Sequence, residues 1–85
     1  MDNLMELKDT VDMMLSDDYK ERFKAEYYQL KNRYVNLKFM TVRWDNGMLD
    51  FKPTCDRSIY DYQLVNMKRY MDILEKRAEI EGIEL

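Results

Sequence analysis

Basic side chains are the groups in this sequence whose number and placement best suit a chemical task. Residues 19–77 hold thirteen Lys and Arg against eight Asp and Glu, whereas residues 1–18 hold six acids against one lysine and residues 78–85 hold three acids, giving a net charge of −3. Guanidinium and ammonium groups pair with phosphates. A duplex-binding domain carries a denser basic stripe than this. The pattern therefore favours a small anionic ligand and argues against nucleic-acid binding.

Acid pairs offer the alternative of general acid–base catalysis, but helix caps and solvated helix faces account for all of them. The pairs are Asp17 with Asp18, Asp45 with Asp50, and Glu75 with Glu79. No histidine or positioned nucleophile accompanies them. We therefore expect no enzymatic activity and assign no catalytic residue.

Cys55 is the single cysteine, and the chain has no histidine. Without a partner base, Cys55 lacks the surroundings of a catalytic thiol. Without further soft ligands, the sequence holds no zinc-type or haem-type ligand set, and no calcium-loop spacing is present. We expect no metal, no cofactor and a structural role for Cys55.

Two long segments carry apolar side chains at the alternating three- and four-residue spacing of a helix face. They predict helices over residues 18–40 and 57–81, which a short reversing connection should pack antiparallel. The first seam is Phe23, Tyr27, Leu30, Tyr34 and Leu37, and the second is Tyr60, Leu64, Met67, Met71, Leu74 and Ala78. We expect one mainly α domain over residues 1–85, an antiparallel helical hairpin with a short β-hairpin at its tip and a short N-terminal helix.

The β-hairpin is predicted over residues 41–52, where apolar residues shift to a period of two around Asn46-Gly47, the pair best suited to a type I′ turn. In that register Arg43 lies opposite Asp50 on one face. The other face collects Val42, Trp44, Leu49 and Phe51. Because an isolated hairpin is marginal in water, this face must cover something. Trp44 and Phe51 are also the candidate anchors for a partner protein.

A short acidic helix is predicted over residues 2–15, with Leu4, Leu7, Val11, Met14 and Leu15 on one face. It should break before Asp18, which with Glu21 fits a capping box for the next helix. Asp56 or Ser58 would cap the last helix and Gly82 would stop it. We expect the N-terminal segment to fold back on the hairpin or to dock on a neighbouring subunit.

Further apolar side chains flank both seams, so the helix faces are wider than one partner helix can cover. They are Tyr28 and Val35 on the first helix and Ile59, Tyr70, Ile73 and Ile80 on the second. A homo-oligomer would supply the missing burial. No apolar run is long enough to cross a bilayer, and residues 1–12 are acidic where a signal peptide would be basic. We therefore expect a cytosolic protein without membrane contact.

Residues 18–34 (DYKERFKAEYYQLKNRY) and residues 62–85, which end in RAEIEGIEL, resemble a family of small, mostly uncharacterised phage and prophage proteins first catalogued in a crAss-like phage. The resemblance implies a viral or prophage origin, hence the host cell cytoplasm as location, and a helical hairpin. It brings no catalytic residues. Residues 1–15 match no part of the family pattern.

In size, origin and helical architecture the chain is also similar to the anti-CBASS and anti-Thoeris sponges, phage proteins that form oligomers and sequester nucleotide signals of bacterial antiviral systems. The similarity implies cations for phosphates, aromatic rings for bases and a pocket between subunits. The residues that would supply them are Tyr19, Arg22, Lys24, Tyr28, Lys31, Arg33, Arg57, Tyr62, Lys68, Arg69 and Tyr70. The competing interpretation of each is an ordinary solvated, core or interface position.

Three functions remain open at this point. We favour antagonism of host antiviral defence by sequestering a nucleotide signal, because the chain offers binding surfaces and no catalytic chemistry. The second is inhibition of a host defence protein, such as a CRISPR effector, through the acidic N-terminal segment or the hairpin tip. The third is a structural or regulatory oligomerisation module of the phage.

Overall fold

The computed structural model describes residues 4–85. A 3₁₀ turn at Leu7–Thr10 leads into helix α1 (Val11–Met14), which is followed by helix α2 (Tyr19–Asp45) and helix α3 (Arg57–Glu81). Helices α2 and α3 pack side by side, and the N-terminal segment packs on α2. The mainly helical class and the antiparallel hairpin agree with the sequence prediction. The predicted start of the first helix at Asp2 lies outside the described residues.

Local capping chemistry sets most of the helix ends. Asp18 has extended backbone geometry and accepts a hydrogen bond from the Lys20 amide at 2.9 Å, so it caps α2 as predicted. Asp56 caps α3 in the same way through the Ser58 amide at 3.1 Å. Gly82 ends α3 with a φ of 71°, a left-handed conformation that glycine adopts without strain.

The predicted β-hairpin over residues 41–52 is wrong, because α2 continues through this segment to Asp45. Asn46-Gly47 does reverse the chain, but as a helix C-terminus: Gly47 has a φ of 69°, its amide bonds to the Trp44 carbonyl at 3.0 Å, and the Met48 amide bonds to the Arg43 carbonyl at 2.8 Å. This pair of bonds is a Schellman motif. The Arg43 guanidinium donates to the Met48 carbonyl instead of pairing with Asp50. Residues 4–85 contain no strand.

Helical spacing explains why the segment stays in α2. Thr41 and Trp44 follow Leu37 at the same three- and four-residue intervals as the upstream seam, so a helix keeps them on the face towards α3. Thr41 is 2% exposed, and its hydroxyl donates to the Lys38 carbonyl at 2.8 Å. Trp44 packs edge-to-face on Tyr60, with ring centroids 5.6 Å apart. Burial in this seam outweighs the local β preference of Thr41–Trp44.

The core of the protein is the predicted seam between α2 and α3. Its buried members are Phe23, Tyr27, Met71, Leu74, Ala78 and, from the C-terminal tail, Ile83. Leu74 has no exposed surface, and Phe23 is 2% exposed. Ile83 reaches this cluster because its amide bonds to the Ala78 carbonyl at 2.9 Å after the turn at Gly82.

Residues 4–16, here called the N-terminal strap, fold back on α2 through polar contacts. Thr10 is fully buried, and its hydroxyl donates to the Leu7 carbonyl at 2.7 Å while accepting from the Gln29 amide at 2.9 Å. The Asn32 amide donates to the Met5 carbonyl at 3.0 Å. The predicted apolar face is only partly covered by this packing. Its outer members Leu7, Val11, Met14 and Leu15 are 37%, 43%, 45% and 72% exposed.

We predict that Leu74→Ala destabilises the fold by about 2–5 kcal/mol, because it removes buried methyl groups and leaves a cavity in the seam. Ile73→Ala, at a neighbouring position that is 58% exposed, is the matched control and should stay within about 0.5 kcal/mol of wild type in the monomer. Urea unfolding at several protein concentrations measures both changes. Equal losses in the two variants would contradict the assignment of the core.

We predict that Thr10→Val lowers the free energy of unfolding by about 1–3 kcal/mol, because it leaves the Gln29 amide without its buried acceptor while keeping the side-chain volume. Val11→Thr makes the reverse exchange at an exposed neighbour and serves as the control. Urea unfolding compares the two. A Thr10→Val variant as stable as wild type would show that the hydrogen bonds of the Thr10 hydroxyl do not stabilise the fold.

Candidate functional site

An open groove beside the α2–α3 seam has a volume of about 480 Å³, and we call it the cationic groove. Small-molecule sites have volumes of about 300–1,000 Å³. Leu64, which is 7% exposed, is the buried apolar member of its lining. The lining residues are Tyr34, Lys38, Asp61, Leu64, Val65, Lys68 and Arg69. The groove is therefore large enough for a nucleotide-sized ligand.

The groove carries more positive than negative charge. Its carboxylate, Asp61, pairs with the Arg57 guanidinium at 2.9 Å, a cation that it shares with Asp45. Lys68 bonds to Asp72 one turn further along α3, and this hydrogen bond holds the pKa of the ammonium above its ordinary value. Within residues 4–85, no carboxylate lies within ion-pair distance of Lys38 or Arg69. These two cations are the ones available to an anion that enters the groove.

Tyr34 adds an aromatic wall beside the cations. Its side chain is partly buried and packs against the core cluster, so the ring is held in place by the seam rather than by the ligand. Tyr34 and Lys38 lie four residues apart on α2, which places them on one face of the helix. An aromatic face next to two cations can receive a base and the phosphate attached to it.

The cationic groove unites only part of the predicted ligand set. Lys68 and Arg69, both predicted ligand residues, line it together with Tyr34 and Lys38, which are not in the predicted set. Tyr34 belongs to the predicted core seam instead. The signal for them is their four-residue spacing, which puts Tyr34 and Lys38 on one face of α2. Antiparallel pairing with α3 then brings that face opposite Lys68.

Three predicted ligand residues lie near the start of α2, and one of them, Tyr19, joins α2 to the end of α3. The Tyr19 hydroxyl donates to Glu81 at 2.8 Å and accepts from Arg77 at 2.8 Å. Arg22 donates to the carbonyl of Ser16 at 2.7 Å, at the end of the strap. Lys24 lies 3.4 Å from the carboxylate of Glu21 on the same helix. Each of the three side chains therefore has a partner within the chain.

Other predicted residues are spread along the molecule. The Tyr70 hydroxyl donates to Glu26 across the helix pair, and Tyr28 packs edge-to-face on Tyr27 with centroids 5.3 Å apart. Lys31 is half-buried and Tyr62 is 67% exposed. Arg33 lines a second groove. The structure therefore does not gather the predicted set at a single site in one copy of the chain.

Contacts of Trp44 and Arg57 join α2 to α3 at the loop end of the helical hairpin. The Arg57 guanidinium forms two bonds to Asp45, at 3.0 and 3.1 Å, and lies 5.7 Å from the centre of the Trp44 ring. Hydrogen bonding to Arg57 holds the pKa of Asp45 below its usual range. Phe51, the other candidate partner anchor, is 57% exposed in the loop, beside a crevice of about 210 Å³. Of the two candidate anchors, Phe51 has the more exposed surface.

Tyrosine hydroxyls that bridge the helices are kept protonated by their partners. Burial, followed by the hydrogen bond to Glu75 at 2.6 Å, raises the pKa of Tyr27 far above its ordinary value. The bond to Glu26, followed by burial, raises the pKa of Tyr70. The bond to Glu81 raises the pKa of Tyr19. At neutral pH these groups are hydrogen-bond donors and have no basic form to offer to acid–base chemistry.

Within the described part of the chain, no group of three or more His, Cys, Asp and Glu side chains is placed to hold a metal ion. Cys55 is exposed and carries no disulfide. No helix among residues 4–85 combines the length and the apolar character that a membrane crossing requires.

Comparison with known proteins identifies a family that covers most of the chain. The family model described as Sequestin matches residues 17–80, which include nearly all of α2 and α3. The strap lies outside the matched range. No curated protein and no solved structure matches the chain.

We predict that the free energy of unfolding falls less steeply above pH 10 in Tyr27→Phe than in wild type. Because the pKa of Tyr27 in the folded protein lies above the ordinary 10.0, its contribution is complete below pH 10 and is lost as the pH rises further. Wild type should lose up to about 1.4 kcal/mol more than the variant per pH unit above 10. Urea unfolding at pH 9, 10 and 11 measures the difference, and parallel curves for the two proteins would contradict it.

Proposed function

The chain belongs to the Sequestin family, and on this premise we propose that it is a binding protein that sequesters a small anionic nucleotide without transforming it. The cationic groove carries the proposal. It places the fixed ring of Tyr34 beside Lys38, Lys68 and Arg69 in a volume of about 480 Å³. A base stacked on the ring would bring its phosphate among the cations.

The exposed cations of the cationic groove favour reversible binding of an anion. Arg69 presents a planar fork of donors that suits two phosphate oxygens, and Lys38 acts as a point charge on the facing helix. Both side chains are exposed, so their attraction for an anion weakens as salt screens it. The proposal therefore includes an affinity that falls with ionic strength.

A homo-oligomer belongs to the proposal, because the outer face of α3 remains uncovered in the single chain. Ile59, Tyr62, Ile73 and Ile80 are 50%, 67%, 58% and 73% exposed, and they share one side of the helix. Apolar patches of this kind commonly mark protein interfaces. Tyr62 would then lie at an interface between copies.

We extend the proposal to a phage-encoded antagonist of host antiviral signalling that acts in the host cell cytoplasm. The name of the family suggests a sequestering protein. The resemblance of residues 18–34 and 62–85 to phage and prophage proteins supports a phage origin. Cyclic oligonucleotides and ADP-ribose derivatives are signals of the required chemistry, since each combines bases with phosphates.

A second candidate function is inhibition of a host protein, such as a CRISPR effector, through the loop end of the molecule. Phe39, Met48 and Phe51 are 58%, 58% and 57% exposed there. Exposed aromatic and methionine side chains are enriched at protein interfaces. A stable complex with a host protein in the absence of nucleotide would favour this function.

We predict that isothermal titration calorimetry with cyclic di- and trinucleotides and ADP-ribose derivatives finds a ligand that binds the wild-type protein. Lys38→Ala/Arg69→Ala should weaken that binding by about tenfold or more, since each charge-assisted hydrogen bond contributes roughly 1.5–3 kcal/mol. Tyr34→Leu should weaken it by about fivefold or more through lost stacking, and Tyr34→Phe should retain it.

Lys20→Ala/Lys76→Ala removes the same charge outside the groove and is the matched control. If it weakens binding as much as Lys38→Ala/Arg69→Ala does, the attraction is only the general charge of the protein. Native mass spectrometry of the same samples gives the number of chains and ligands per complex. The absence of binding for every member of the panel would reject the proposal and turn attention to a protein partner.

A further inference from the structure

A second groove, of about 430 Å³, lies along α2 on the other side of the seam, and its polar lining differs in kind from that of the cationic groove. Carboxamides replace the cations. Asn32 and Asn36 come from α2 and Gln63 comes from α3, while Arg33 supplies the charged group of the lining. We call this the amide groove. None of its lining residues belongs to the cationic groove.

We propose that the amide groove is a separate binding site for an uncharged nucleobase or nucleoside. A free carboxamide such as that of Gln63 offers a donor and an acceptor side by side, which is the pattern that the edge of a base presents in return. Phosphate recognition would require several cations. The base, rather than the phosphate, is therefore the group that this lining can distinguish.

A chain of hydrogen bonds fixes part of the lining before any ligand arrives. Asn32 is 7% exposed and donates to the Met5 carbonyl of the strap at 3.0 Å. Asn36 donates to the Asn32 side-chain oxygen, also at 3.0 Å. The Asn36 side-chain oxygen and the whole Gln63 amide, both on exposed residues, then have no hydrogen-bond partner among residues 4–85. One oriented acceptor and one adaptable amide on the facing helix remain for the ligand.

The apolar part of the groove suits a planar ring. Met40 and Met67 line it from α2 and α3, and Leu37 and Leu7 complete it, the last from the strap. Unbranched methionine side chains adjust to irregular shapes and make favourable contacts with aromatic rings. Arg33 is exposed, so its guanidinium can cover a bound ring. The strap thus contributes Leu7 to the amide groove. Leu7 lies outside the family match, which begins at residue 17.

The test is an amide-resolved NMR titration of the full chain with adenosine and uridine, neutral probes that carry no phosphate. We expect saturable shifts of the side-chain amide resonances of Gln63 and Asn36. Gln63→Met removes the amide but keeps the length of the side chain, and it should weaken nucleoside binding by about tenfold, the effect of losing a hydrogen bond or two. Asn66→Met removes an exposed amide outside both grooves and is the control.

Lys38→Ala/Arg69→Ala separates this site from the proposed function. It should leave adenosine binding unchanged, because neither side chain lines the amide groove. The inference is overturned if neither nucleoside binds, if Gln63→Met binds as tightly as wild type, or if the cationic-groove variant loses adenosine. Nucleotide binding that depends on Lys38 and Arg69 without any nucleoside binding would leave the proposed function standing and remove this one.

Discussion

Burial of one apolar seam between two long antiparallel helices is the constraint on which the other features of the structure depend. Leu74 has no exposed surface and Phe23 almost none, and both lie where α2 and α3 meet. An 85-residue chain has a small core, so the hydrophobic effect alone gives limited stability. Polar contacts at the two ends and along the sides of the seam supplement it, and they determine which side chains remain available for binding.

Tyrosine hydroxyls show how this requirement reshapes the binding surface. Tyr19, Tyr27 and Tyr70 each donate to a glutamate on the opposite helix, so three aromatic side chains are used to hold the hairpin together. Two grooves lie along the flanks of the seam. One contains cations and the ring of Tyr34, and the other contains carboxamides and the thioether of Met67. The same helix pairing therefore creates two surfaces of different chemistry.

Asn46-Gly47 illustrates the limit of local interpretation. The pair reverses the chain in the structure as the sequence indicated, because Gly47 adopts positive φ at no steric cost. The same conformational freedom serves a type I′ turn and a helix C-terminus equally well. The alternation of Val42 and Trp44 favoured a strand, but burying Thr41 and Trp44 against α3 requires the helical period. Contacts distant in sequence decided between two locally acceptable conformations.

The sequence by itself determined the two helical seams, the cap at Asp18 and the stop at Gly82, and it narrowed the cap of α3 to Asp56 or Ser58, because periodicity, capping and glycine conformation act within a few residues. It also placed Lys68 and Arg69 among the ligand candidates. Tertiary structure alone decided the length of α2, the partial exposure of the strap's apolar face and the combination of residues in each groove. These features depend on which residues of α2 and α3 lie opposite one another, and that alignment is set by packing along the whole seam.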